Sequence, residues 1–249
     1  AAEGAREAGF EGEILLIGDE PVRPYERPPL SKDYLRGERE DLAWVHEERF
    51  YAEKNIDLRT STFVTGIDPG NRTVLIEGAD PERWDRLLLA TGCEPRRMDV
   101  PGADLDGIHY LRTAADSAAL GQHLREGTKV VVVGAGWIGS EVAASARQKG
   151  CEVTLIEPQE VPLEHVLGTE IGGVYRDVHL ERGVDFKSGT GVEAFSGEDA
   201  VSSVTTTAGE IPADLVVVGV GAVPRTGLAE AAGLQLNNGV PVDAGLRTE

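Results

Sequence analysis

The chain is poor in cysteine, methionine, aromatic residues and positive charge. It has two cysteines, one methionine and 5% aromatic side chains among 249 residues. Cys93 and Cys151 stand 58 positions apart, so there is no C-x-x-C or similarly close pair and no disulfide framework. Two small buried residues in a reducing cytoplasm are the expectation. The five histidines, His46, His109, His123, His165 and His179, are scattered without metal-ligand spacing, and no metal site is expected. Apolar runs stop at strand length near Val130 and Leu215, short of the roughly 18 residues of a membrane span, so no membrane partner is expected. Lysine and arginine number 24 against 43 acids, and the net charge of −19 argues against nucleic acid or an anionic membrane as partner. What remains is 41% hydrophobic and long enough for about two domains with real cores.

The densest signal is KVVVVGAGWIGSEVAASARQKGCEVTLIEP, residues 129–158. Val130–Val133 is a continuous β-branched run, which predicts a strand buried on both faces of a parallel sheet. Gly134, Gly136 and Gly139 follow as G-x-G-x-x-G, and Ile138–Lys149 reads as a helix stopped by Gly150. In such a turn the first glycine permits the sharp bend, the second lets backbone approach a pyrophosphate, and the third lets helix pack on strand. The helix N-terminus then offers its free N–H groups to the phosphates. A second strand, Glu152–Ile156, ends at Glu157, 18 residues beyond Gly139, where an acid grips the adenosine ribose.

The motif lies mid-chain because of an internal repeat. AAEGAREAG (Ala1–Gly9) matches VAASARQKG (Val142–Gly150) at Ala2/Ala143, Ala5/Ala146, Arg6/Arg147 and Gly9/Gly150. Each is followed by a short apolar strand and an acid, EILLIGDE and EVTLIE. Two copies of one dinucleotide unit are inferred, the first without its opening strand and glycine loop, so that the chain is expected to begin inside a helix.

Elsewhere, PVRPYERPPLSKDYLRGE is a proline-rich turn that starts a short helix near Leu30, followed by a helix over Glu47–Lys54. Strands are predicted at TFVTGID and TVLIEG, and RWDRLLLATG (Arg83–Gly92) reads as a further buried strand. After a linker over Pro95–Gly107, a helix covers Ala114–Leu124. Val166, Ile171, Val174 and Val178 recur at helical spacing up to Gly183. DFKS, GVEAF and AVSSVTTT read as strands, and DLVVVGVGAVP as a buried strand entering a glycine turn. The closing GLQLNNGVPVDAGLRTE is turn-rich and has the look of an unfinished segment.

YERPPLSK, LLLATG, LRT, VVVGAGWIGSE and VVVGVGAVP occur in that order. Through them the chain resembles the FAD-dependent pyridine nucleotide-disulphide oxidoreductases, and above all the NADH:ferredoxin reductases that serve Rieske oxygenases and cytochromes P450. The resemblance implies an α/β fold of two Rossmann-like domains, with an NAD domain (109–227) inserted in an FAD domain (1–108, and a return segment 228–249) that is incomplete here. It implies that Asp19 or Glu20 lies at the FAD ribose, that Arg27, Pro28 and Lys32 lie near the flavin, and that Val64 contacts the adenine by backbone. It also implies that Thr91 and Gly92 line the FAD turn and that Arg112 reaches the FAD. Ile138 and Gly221 join Gly134, Gly136, Gly139 and Glu157 among the coenzyme contacts. Lys32 and Glu141 are implied as the pair beside flavin and nicotinamide, where a cation stabilises the reduced ring and a carboxylate orients the nicotinamide. The implied cofactors are FAD and NADH, and the implied partner is a ferredoxin or related small iron–sulfur protein.

Other readings share the motifs: a rubredoxin reductase, the flavin module of a nitrite reductase, or a non-turnover NADH-responsive flavoprotein resembling apoptosis-inducing factor. A thiol-dependent oxidase would need a cysteine soon after PPLSK, and none is there. Two residues depart from the family pattern, Trp137 and Arg225, the latter standing where asparagine is common. The family's glycine loop ahead of Ala1, its later Gly-Asp segment and its C-terminal domain are not among the 249 residues.

Overall fold

The structure is a computed structural model that describes residues Ala1–Thr248. Glu249, the last residue of the expected return segment, lies outside the described residues. The first elements are α1 (Ala2–Glu7), β1 (Ile14–Ile17), a 3-10 turn (Pro28–Ser31), α2 (Asp33–Arg36), α3 (Glu48–Glu53), β2 (Ile56–Arg59), β3 (Val64–Asp68), β4 (Thr73–Ile76), β5 (Glu82–Arg83) and β6 (Cys93–Pro95). Next come β7 (Ile108–Tyr110), α4 (Ala114–His123), β8 (Lys129–Val133), α5 (Trp137–Gln148), β9 (Glu152–Ile156), α6 (Glu164–Glu181) and β10 (Asp185–Lys187). The rest are β11 (Val192–Gly197), β12 (Val201–Thr206), β13 (Gly209–Pro212), β14 (Leu215–Val218), β15 (Ala222–Pro224) and α7 (Gly227–Ala231).

Two compact units form. Unit 1 holds Ala1–Glu26, Trp44–Cys93 and the chain from Val223, and unit 2 holds Arg27–Ala43 with Glu94–Ala222. The PPLSK stretch therefore packs within unit 2. A compact unit is defined by packing and a cofactor domain by its ligand, and the two divisions differ at this segment, at 94–108 and at 223–227.

Unit 2 is built on a five-stranded parallel sheet in the order β10-β9-β8-β14-β7. Val130–Val133 and Leu215–Val218 are buried throughout, as continuous β-branched runs demand when both faces are covered. Helix α5 lies close on the sheet because the residues it turns inward are small, with Val142, Ala143 and Ala146 fully buried. Helix α4 opens on a capping box, in which Thr113 accepts the Asp116 N–H and the Asp116 carboxylate accepts the Thr113 N–H. An antiparallel meander, β11-β12-β13, completes the unit. Unit 1 contains a parallel pair, β1 with β2, and a small antiparallel sheet, β3-β4-β5.

Two expectations are corrected. RWDRLLLATG is not a buried strand: only Glu82–Arg83 is extended, and Leu87 and Leu88 are 38% and 62% exposed. A strand needs a neighbour to bond, and no described residue occupies the place beside β1 that β8 occupies beside β9. On α6, Val166, Ile171, Val174 and Val178 are exposed instead of forming its core face. The helix packs instead through Gly172 and His179, because a Cβ at Gly172 would lie 2.5 Å from Val161 Cγ2. It is also broken at Gly168, whose φ of 77° is not helical. The short strands β2, β6, β7, β13 and β15 lacked a period long enough to read. Among the described residues no helix is long and apolar enough to cross a membrane.

Candidate functional site

The three motif glycines meet different surroundings. Gly134 has φ 92°, a left-handed conformation that a side chain disfavours, and a Cβ there would lie 2.6 Å from Gly219 O. A Cβ at Gly139 would collide with Gly134 O, so the third glycine sets the helix-to-strand approach. At Gly136 the nearest atom to an added Cβ, Gly219 O, is 4.0 Å away, so this position faces open space at the start of α5. That is the arrangement a pyrophosphate needs, with room at the middle glycine and free helix N–H groups beside it. Ile138 is exposed on the first turn of α5, and Gly221 bends the chain after β14 with φ 105°. Gly219 is a residue the motif reading passed over. It sits against Gly134 and Gly139 and donates to Val133 O at 2.8 Å. The glycine doublet in DLVVVGVG was its signal.

Glu157 directly follows β9 beside this turn. Its carboxylate accepts the Ala135 N–H at 2.6 Å and the Gln159 N–H at 3.1 Å, so it braces the glycine turn from within the protein. A carboxylate has about four lone-pair sites, which leaves acceptor capacity for a diol.

Unit 1 repeats this strand end bond for bond. Glu157 N–H donates to Lys187 O and Gly18 N–H to Arg59 O; Thr190 N–H donates to Glu157 O and Thr62 N–H to Gly18 O; Gly189 N–H donates to Gln159 O and Ser61 N–H to Glu20 O. Gly18 is therefore the equivalent of Glu157, and Asp19 and Glu20 lie one and two residues beyond. Asp19 Oδ2 meets Arg225 Nη1 at 2.9 Å, and Glu20 accepts from the Tyr25 hydroxyl. Arg225 also joins the Thr91–Gly92 turn, its N–H donating to Gly92 O at 2.9 Å and its carbonyl accepting from Thr91 Oγ1 at 2.6 Å. The structure thus gathers Asp19, Thr91 and Gly92 around Arg225. Val64 opens β3 opposite Ile76.

A third cluster lies wholly in unit 2. Lys32 Nζ is 2.6 Å from Glu141 Oε2, with the side chains 43% and 29% exposed. Ser31 Oγ donates to the same oxygen at 2.5 Å, a partner the sequence reading did not assign although it stands inside PPLSK. Pro28 O accepts from Lys32 Nζ at 3.1 Å, and Arg112 O accepts from Arg27 Nη1 at 2.7 Å. Arg27, Pro28, Lys32, Arg112 and Glu141, far apart in sequence, are brought to the 3-10 turn, the LRT stretch and the first half of α5.

The pyridine nucleotide-disulphide oxidoreductase family model matches residues 1–249. The chain is 42% identical to rhodocoxin reductase of Rhodococcus erythropolis over 100% of its own length and 59% of that protein. It is 42% identical to the ferredoxin–NAD(+) reductase component of the biphenyl dioxygenase system of Paraburkholderia xenovorans, over 98% of this chain and 60% of that one. Its fold superposes with a TM-score of 0.94 on a chain of the covalent putidaredoxin reductase–putidaredoxin complex, 38% identical, over 99% of this chain and 61% of the other. The chain spans about six-tenths of the length of the curated relatives it matches. With both strand ends, the glycine turn and the match over its whole length, the chain belongs to the pyridine nucleotide-disulphide oxidoreductase family.

Proposed function

We propose that the protein carrying this chain is an FAD-dependent NADH:ferredoxin reductase that supplies a small [2Fe–2S] protein feeding a cytochrome P450 or a Rieske oxygenase. The observation that supports this reading most is the Lys32–Glu141 pair, set one helical step past a glycine turn whose middle position is open. Residues 109–227 would serve NADH, and 1–108 with 228–249 the FAD. NADH would be held by Gly134, Gly136, Ile138, Gly139 and Gly221 at the turn, with Glu157 accepting from the adenosine ribose. FAD would be held by Asp19 and Glu20 as ribose acceptors, Val64, the Thr91–Gly92 turn, Arg27, Pro28, Lys32 and Arg112, a set whose acceptors and cations suit a diol and an anionic ring.

A bound FAD would supply the chemistry, hydride acceptance from NADH and one-electron release to the iron–sulfur partner. The protein supplies position and charge. Glu141 orients the nicotinamide from the first half of α5, and Lys32 keeps its ammonium near the flavin while tempering that carboxylate. The free cysteines support a reducing cytoplasm as the compartment.

Cytochrome c reduction by the full-length flavoprotein, with NADH and with or without an added ferredoxin, tests the reading. Rapid reduction that depends on the ferredoxin is expected. Slow reoxidation by every acceptor, with a long-lived charge-transfer band, would overturn it. In stopped-flow mixing, Glu141→Ala is expected to slow flavin reduction by about 10- to 100-fold with FAD content unchanged.

A further inference from the structure

The 3-10 turn that carries Lys32 has little bonding of its own. Pro28 and Pro29 have no N–H, and the turn closes through Leu30 N–H to Arg27 O and Lys32 N–H to Pro29 O, each 3.0 Å. Two serines from two other helices make up the deficit. Ser117 of α4 donates its hydroxyl to Leu30 O at 2.7 Å, and Ser145 of α5 donates to Ser31 O at 2.6 Å. Both serines are 1% exposed, as is Ser31. Successive carbonyls of one turn are thus held from two sides, in a setting where a buried hydroxyl left without a partner would be costly.

The held turn ends at a particular atom. Ser31 Oγ donates to Glu141 Oε2 at 2.5 Å, much nearer than its alternative acceptor, Pro28 O, at 3.4 Å. Lys32 Nζ meets that same Oε2 at 2.6 Å. An ion pair as exposed as Lys32–Glu141 holds its members only weakly in water, because two long side chains lose freedom for a screened attraction. The Ser31 hydroxyl changes that balance. It is short, already immobile within the turn, and adds a charge-assisted bond at almost no further entropic cost.

We propose that Ser31 is a positioning residue for Glu141, and that Ser117 and Ser145 hold the turn so that Ser31 and Lys32 reach one carboxylate oxygen together. The functional consequence rests on the reading of Lys32 and Glu141 given above: the clamp keeps the nicotinamide-orienting carboxylate in one rotamer whether or not coenzyme is bound. Ser31 acts through Glu141 and contributes no chemistry of its own.

Two measurements on the full-length holoprotein test it. The first is acylation of the Lys32 amine by a limiting isotope-coded ester, followed by mass spectrometry, which reads how often the pair is open and does not depend on turnover. Glu141→Gln sets the rate without the ion pair. Ser31→Ala and Ser145→Ala are expected to raise Lys32 labelling by roughly three- to tenfold over the unaltered protein, the effect of losing one good hydrogen bond. Rates unchanged in both serine variants, or in Glu141→Gln, overturn the clamp.

The second is a double-mutant cycle on flavin reduction by NADH. Ser31→Ala is expected to slow reduction about tenfold at saturating NADH, with little change in the NADH dependence. In a Glu141→Ala background it should slow it no further. Additive losses would mean that Ser31 acts on the fold alone and would overturn the proposal. If Glu141→Ala leaves reduction unaffected, the assigned role of Glu141 fails, while the labelling result still decides the clamp. Should Ser31→Ala not fold, Ser117→Ala and Ser145→Ala carry both tests, since alanine is well tolerated inside helices.

Discussion

Both units contain the same closing stretch and treat it differently. DRLLLATG (Asp85–Gly92) and DLVVVGVG (Asp214–Gly221) match in the leading acid, the apolar run and the final glycine. In unit 2 the run is β14, buried throughout, bonded on one side to β8 and on the other to β7. In unit 1 the run is not a strand, and its leucines meet solvent. The preceding halves agree closely. Arg6 and Arg147 each reach the carbonyl four residues on, at Phe10 and Cys151, and the carbonyl of the residue after a helix, at Lys54 and Arg182. The two glycines that end these helices have nearly the same φ, 83° at Gly9 and 84° at Gly150. The units diverge from the strand position beside β1, which no described residue fills. Apolarity makes a segment able to be a strand, and only a neighbour's N–H and C=O groups make it one.

The largest test of that comparison is cofactor retention. The place beside β1 that in unit 2 holds β8 and its donor turn is filled by no described residue, so a flavin pyrophosphate would lack those N–H donors. Expressed as these 249 residues, the chain is expected to be colourless, poorly soluble and inactive with NADH and an acceptor. A yellow, monodisperse preparation with stoichiometric flavin absorbance would break the comparison.

The cores should differ in the same sense. Leu155 in β9 is fully buried, whereas Leu16 in β1 is only half-buried. Leu155→Ala is expected to cost about 2–5 kcal/mol, and Leu16→Ala less than half as much. Native-state hydrogen exchange on the soluble fraction of the 249-residue chain resolves each unit separately, and equal losses would contradict an incomplete core in unit 1.

These contrasts also show which features the sequence could carry. The path from Lys129 through the glycine turn to Glu157 was legible because every level agrees there: a buried β-branched run, glycines where backbone must bend or touch, and a terminal acid. LLLATG was misread because composition reports burial potential and is silent about the neighbour. On α6 the spacing predicted the helix correctly but pointed to the wrong face, since Gly172 and His179 make the contact and apolar residues do not. Lys32 and Glu141 were paired by family likeness alone. Their third member, Ser31, has no sequence signal beyond its place in PPLSK, because hydrogen bonds between distant segments leave no period.

Coenzyme choice sharpens the comparison at the strand ends. Glu157 and Gly18 occupy equivalent positions, and only Glu157 brings a carboxylate there. It can accept from a ribose 2′-hydroxyl and would repel a 2′-phosphate. The full-length protein is expected to favour NADH over NADPH by at least about tenfold in kcat/KM, near 1.4 kcal/mol. Glu157→Gly, which copies unit 1, should erase most of that preference. Equal or better kcat/KM with NADPH in the unaltered protein would sink the assignment.

The smallest expected effect is acid sensitivity of unit 2, which contains His109 and His179. Burial lowers the pKa of both below the ordinary value near 6.5; at His109 the neighbouring His123 ring lowers it further and Asp116 opposes this in part. A depressed imidazole stays neutral in the native state while its unfolded counterpart takes up a proton. The unfolded chain therefore binds more protons as pH falls through about 6.5, and unit 2 loses stability from there down to the native pKa values, with no loss above that window. Hydrogen exchange of β8 and β14 amides across the window, corrected for intrinsic rates, should show this fall, and His109→Gln with His179→Gln should flatten it. The same slope in the double variant would place the titrating groups elsewhere.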